Sequence, residues 1–123
     1  NLPVIIHQVK TLSDILPFLK QFADLTYVFH AYNGNETQTR QLLEYDTYFS
    51  FGAVLERHND KIIQSLEIIP TDRLFVETDE SGVAIKKLYE ILAQQKFISA
   101  QELQKKIIIN FQKVFKRNMD ELD

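Results

Sequence analysis

The sequence predicts an α/β fold on a parallel sheet, and three observations carry that prediction. Short apolar runs alternate four times with segments of helical hydrophobic spacing, the pattern of strand-helix units that build parallel sheets with helices packed outside them. Three of those runs close on a histidine or a carboxylate, at the strand ends where parallel α/β folds place their chemistry. The chain has 123 residues, enough for one domain with a core. Two architectures satisfy these observations: a small doubly wound sheet, or half of an eight-fold barrel, whose full form needs about 250 residues.

Leu2 to Ile6 is apolar and rich in β-branched residues, and it ends at His7; it is predicted to be the first strand. Leu12, Ile15, Leu16, Leu19 and Phe22 recur at helical spacing, with Pro17 inside the pattern, so the start of that helix is open by a turn. Thr26 to His30 is the second strand. Asn33-Gly34 breaks it, and Asn35 with Gln38 has the spacing of a capping box for the next helix. Tyr48 to Phe51 is the third strand, stopped by Gly52, and Ile62, Ile63 and Leu66 mark a third helix that Pro70 ends. Arg73 to Thr78 is the fourth strand. Ile85, Leu88, Tyr89 and Leu92 form a helix face. Ser99 with Glu102 caps a last helix that carries Leu103, Ile107, Phe111, Val114 and Phe115 on its apolar side. No linker or low-complexity tract divides residues 1–123, which read as a single domain or half-domain.

Composition narrows the function. Hydrophobic residues make up 45% and charged residues 25% of the chain, as in ordinary globular proteins. The net charge is −3, from 14 basic and 17 acidic side chains. That excludes a broad cationic surface that binds nucleic acid by counterion release alone, so nucleic-acid chemistry needs a local site. There is no cysteine, which excludes disulfides, thiol nucleophiles and zinc-thiolate sites. No apolar run is long enough to span a membrane, and a cytoplasmic location is expected. Neither a Gly-rich phosphate loop nor a Gly-x-Ser-x-Gly elbow is present. Lys105, Lys106, Lys113, Lys116 and Arg117 read as the solvated face of an outer helix.

The candidate site lies at the strand ends. His7 ends the first strand, His30 the second and Asp79 the fourth. Period-two alternation puts Thr26, Val28 and His30 on one face, and Phe75, Glu77 and Asp79 on one face. Imidazole nitrogens and a carboxylate oxygen in one mouth suit Zn, Mn, Fe or Mg. Taken singly, a strand-end histidine has an ordinary role in bonding a loop, and Asp79 in capping the next helix; three on separate strand ends favour a shared metal site. Glu77 has two readings, as an acceptor that supports a metal-bound imidazole or as a buried carboxylate paired inside the fold. Asn33 is a candidate donor to a substrate phosphate, although Asn-Gly is first a turn signal. His58, in a polar loop, reads as exposed.

The order His, His, gap, Asp on successive strands resembles the second half of an amidohydrolase-type barrel, and local strings narrow the resemblance. Pro3-Val4-Ile5-Ile6-His7, Val28-Phe29-His30-Ala31-Tyr32-Asn33-Gly34, Tyr48-Phe49-Ser50-Phe51-Gly52 and Asn110-Phe111-Gln112-Lys113-Val114-Phe115 are each similar to strings of the TatD deoxyribonuclease family. Its most specific string is matched by Ile69-Pro70-Thr71-Asp72-Arg73-Leu74-Phe75-Val76-Glu77-Thr78-Asp79. The resemblance covers essentially the whole chain. It implies strands five to eight, the C-terminal half, of a TIM (β/α)8 barrel. Carried over by position, it makes His7, His30 and Asp79 metal ligands and Asp79 the catalytic group that orients or deprotonates the attacking water. The family's His-x-His pair and a further Glu would lie upstream of Asn1. Gln8-Val9 stands where the family often has Ser-Arg, and Glu80-Ser81 where it often has Ala-Pro.

The resemblance therefore implies a hydrolase that uses divalent Mg, Mn or Zn, with DNA or another phosphodiester as substrate and the missing N-terminal half of the barrel as structural partner. The 123-residue chain alone is expected to be inactive and to self-associate or stay bound to that half. Two rival readings are a non-catalytic parallel α/β module that binds a partner, and a related metal hydrolase acting on a small amide or ester.

Overall fold

The computed structural model describes residues 2–7, 12–57, 59–78 and 84–116. Its strands are β1 (Val4–Ile6), β2 (Tyr27–Phe29), β3 (Thr47–Phe51) and β4 (Leu74–Val76). Its helices are α1 (Leu12–Gln21), α2 (Glu36–Leu42), α3 (Asp60–Ile68), α4 (Ile85–Gln95) and α5 (Ala100–Phe111), the last continuing as a π-helical turn over Gln112–Lys116. The strands form one sheet in the order β1-β2-β3-β4, and every neighbouring pair is parallel. The predicted α/β class and strand order are therefore what the chain adopts. No described helix is long and apolar enough to cross a membrane.

Three of the strands are shorter than the runs that announce them, whereas β3 begins one residue early, at Thr47. Leu2, Thr26, His30 and Thr78 fall outside the ladder. Arg73 falls in a 3-10 turn, Thr71–Arg73, where its Nη1 donates to the carbonyls of Leu43 at 2.9 Å and Tyr45 at 3.2 Å. A guanidinium that caps loop carbonyls is directed away from the sheet, so the strand starts one residue later.

Register separates the two faces of the sheet. Tyr27, Phe29, Thr47, Phe49, Phe51 and Leu74 lie on one face and are all buried; α4 and α5 pack against β4. Ile5, Val28 and Tyr48 align across the other face, with Ser50 opposite Phe75. That face is also buried, except for Ile5 on the edge strand. Phe115, from the end of the last helix, packs on Phe75 at a ring-centroid distance of 6.1 Å. Coverage of both faces explains why these strands read as continuous apolar runs instead of alternating ones.

Local signals account for the helix starts. Asn35 caps α2 through a full capping box, its side chain accepting from the Gln38 N–H while the Gln38 side chain accepts from the Asn35 N–H. Ser99 accepts from the Glu102 N–H at 3.0 Å and caps α5. Three predicted core faces need correction. Ile85 and Phe111 are exposed, at 45% and 51%, and Phe22 lies beyond α1 and is also exposed. The buried stripe of the last helix runs through Leu103, Ile107, Asn110 and Val114. Asn110 is buried in place of Phe111 because its amide donates to the carbonyls of Thr71 and Leu74; a hydrocarbon there would take this donor from the buried Leu74 carbonyl and leave Thr71 with the Leu74 N–H alone.

Candidate metal centre

Ile6 opposite Phe29 is the last paired position of β1 and β2, and the His30 N–H donates to the Ile6 carbonyl at 2.8 Å. His7 and His30 are therefore next neighbours at the same end of the sheet. Their rings stand 5.1 Å apart, centroid to centroid, at 65°. His7 is exposed and His30 half-buried.

Beyond His30 the chain turns sharply. Ala31 takes a left-handed φ of 52°, rare for a residue with a Cβ, and the Tyr32 N–H then returns to the Ser50 carbonyl at 2.9 Å. Tyr32 is buried, with its hydroxyl 2.7 Å from that of Thr39. Desolvation pushes its pKa up to about 12, against a smaller lowering by the Thr39 hydrogen bond. Ser65 donates to the Gly34 carbonyl at 2.6 Å and ties the far end of the loop to α3. Asn33 lies exposed between these anchors.

Glu77 supplies the third element. Its Oε2 lies 2.5 Å from Nδ1 of His30, and its Oε1 accepts from the Ala31 N–H at 2.7 Å. The carboxylate is only 13% exposed, against 42% for the imidazole. Both readings of Glu77 thus meet in one contact, a buried carboxylate whose partner is the strand-end histidine. A carboxylate accepts but does not donate, so Nδ1 carries a proton, and Nε2 is the nitrogen left to face a ligand.

His30 and Glu77 belong to strands that are not neighbours, because β3 lies between β2 and β4. The contact passes over the end of β3 at Gly52. A Cβ built on Gly52 would stand 3.2 Å from the Glu77 carbonyl oxygen and 3.3 Å from its Cγ. Read from sequence, Gly52 is only a strand stop; the signal for the crossing is a glycine between two strands whose polar ends share a face.

Two imidazoles side by side, one with its tautomer set by a carboxylate, match the donor chemistry of a divalent metal site. Among the described residues no group of three His, Cys, Asp or Glu side chains is placed to hold an ion. The expectations for Asp79 and His58 fall outside the described residues. A separate cavity of about 340 Å³ lies between α3 and α4, lined by Ile62, Ile63, Leu66 and Ile91 with the Glu56–Lys87 ion pair; none of the strand-end residues lines it.

A four-stranded parallel sheet in chain order, with histidines at two neighbouring strand ends, fits half of a (β/α)8 barrel. Comparison with known proteins gives the family: the TatD related DNase profile matches residues 1–116, and the chain belongs to that family. An uncharacterized metal-dependent hydrolase of Escherichia coli K12, YcfH, is 28% identical over 131 aligned residues, covering 94% of this chain and 49% of that protein. Another uncharacterized metal-dependent hydrolase, YabD of Bacillus subtilis, is 32% identical over 82 residues, covering 64% of this chain and 32% of that one. Among solved structures, the TatD homolog YJJV of Escherichia coli superposes with a TM-score of 0.78 at 21% identity, covering 93% of this chain and 50% of that chain. A TatD family hydrolase of Entamoeba histolytica gives 0.75 at 18% identity, covering 91% and 50%. The chain thus spans about half the length of YcfH and of both these structures.

Proposed function

We propose that this chain forms the C-terminal half of the catalytic barrel of a metal-dependent phosphodiesterase that acts on DNA. The observation that carries this reading is the pair of strand-end histidines with the Nδ1 position of His30 engaged by Glu77. The family description and the metal-dependent relatives support it.

In this reading His7 and His30 hold the metal with Asp79, His30 through its Nε2. Mg, Mn or Zn held there would supply Lewis acidity for the hydrolysis. Asp79 would orient the attacking water and take its proton. Asn33, exposed on the loop after β2, offers an amide donor to a phosphate oxygen. The activity belongs to the whole protein. The 123-residue chain alone is a poor or inactive hydrolase, because the family's His-x-His pair and further Glu are not among its residues.

The test is cleavage of labelled single- and double-stranded DNA by the intact protein with Mg, Mn or Zn, with and without a chelator. Metal-dependent cleavage that His30→Ala abolishes supports the reading. Hydrolysis of aryl esters or acyl amides with DNA left intact moves the protein to small amide or ester substrates, and no metal binding by the intact protein leaves the partner-binding module.

A further inference from the structure

We propose that Glu77 is a positioning residue that sets the His30 ring and the loop carrying Asn33 together, across a close approach to Gly52, where an added Cβ would crowd it. The inference rests on the proposed metal-dependent reading for its use, but its geometry stands on its own. The two carboxylate oxygens hold different partners. Oε2 engages Nδ1 of His30 at 2.5 Å, and Oε1 accepts the Ala31 N–H at 2.7 Å. Ala31 holds a left-handed φ of 52°, so the backbone there needs an external contact to stay as it is. The far end of the loop is tied elsewhere, by Ser65 to the Gly34 carbonyl and by Thr39 at the Tyr32 hydroxyl. Glu77 therefore holds the head of the loop, next to the histidine.

Gly52 makes that reach possible. The Glu77 N–H donates to the Phe51 carbonyl at 2.9 Å, which holds the main chain of Glu77 against β3. A Cβ on residue 52 would meet both the Glu77 carbonyl oxygen and its Cγ inside ordinary contact distance, so the carboxylate stem would have to move. The φ of Gly52 is −127°, outside the left-handed region, so close approach is what the glycine provides here.

An amide cannot serve both partners. With Glu77→Gln, one side-chain atom accepts and the other donates, and both partners in the native site are N–H donors. Either the Ala31 N–H loses its acceptor, or His30 turns to its other tautomer and the lone pair leaves Nε2.

The test uses the intact protein, metal-free, with 15N-labelled histidine and backbone amides. In the native protein we expect the His30 signals of an Nδ1–H tautomer and a hydrogen-bonded, downfield Ala31 amide proton. Glu77→Gln should lose at least one of these signals and weaken Mn(II) binding by about 10–100-fold in calorimetric titration. Gly52→Ala, which leaves His30 and Glu77 chemically intact, should move both signals the same way and weaken Mn(II) less. If Glu77→Gln does not fold, Gly52→Ala and Glu77→Asp carry the test. Both signals unchanged in the folded variants, with native Mn(II) affinity, would overturn the proposal. A native protein that binds no Mn(II) would overturn the metal reading, and the use inferred for the latch with it. The two NMR signals would still decide the positioning.

Discussion

Nδ2 of Asn110, on the last helix, lies 2.9 Å from the carbonyl oxygen of Leu74 at the start of β4, and the same nitrogen is 3.0 Å from the Thr71 carbonyl. One buried amide thus joins the closing helix to the strand that leads into Glu77. Asn110→Leu keeps the branched shape and removes the donor. It should lower stability by about 1–3 kcal/mol, the cost of leaving the buried Leu74 carbonyl without this donor. The readout is a urea midpoint shifted down at unchanged slope; a midpoint equal to the native one would show that the two carbonyls find other donors.

Gly34 predicts a steric effect beside the site. A Cβ there would stand 2.2 Å from the Tyr32 hydroxyl oxygen and 2.5 Å from its Cζ. Tyr32 is buried and bonded to Thr39, so its ring has little room to move. Gly34→Ala should cost about 1–3 kcal/mol, as overpacking does elsewhere, and displace the loop that carries Asn33. Thermal unfolding measures the first effect and amide shifts of residues 31–35 the second. Native values for both would mean the Tyr32 side chain shifts aside at no cost.

Tyr32 also sets an alkaline limit. Its pKa is pushed up to about 12 by burial, while an unfolded tyrosine titrates near its ordinary value of 10.0. Between those values the unfolded chain releases a proton that the folded one keeps. Stability from this group is therefore complete below pH 10 and falls as pH rises towards 12. Tyr32→Phe removes that contribution and should flatten the alkaline limb of the stability curve, with the Thr39 hydrogen bond lost at all pH values. An unchanged alkaline slope would refute it.

The two histidines should not be equivalent. His7 lies on the edge strand and is exposed, whereas His30 is half-buried against Glu77. In the proposed site, His30→Ala removes a ligand together with the benefit of its carboxylate partner, worth about 10–100-fold in affinity; His7→Ala removes a ligand alone. Calorimetric titration of the intact protein with Mn(II) should rank native above His7→Ala above His30→Ala. The reverse order of the two variants would place the tighter-held ligand on β1.

The sequence by itself determined what local spacing controls. Strand-helix alternation set the class and strand order, and the Asn35–Gln38 and Ser99–Glu102 spacings set two helix starts, because each depends on residues a few positions apart. Period-two parity put His30 on the face of Val28 and Glu77 on the face of Phe75, each within its own strand, for the same reason. Only the tertiary structure decided that they touch. The Ala31–Glu77 bond joins residues 46 positions apart and depends on the register of three strands and on a missing Cβ at Gly52, and neither leaves a periodic trace. The burial of Asn110 in place of Phe111 was hidden likewise: a hydrophobic pattern ranks side chains by their own polarity, whereas burial there is settled by the hydrogen bonds its amide gives to carbonyls far away in sequence.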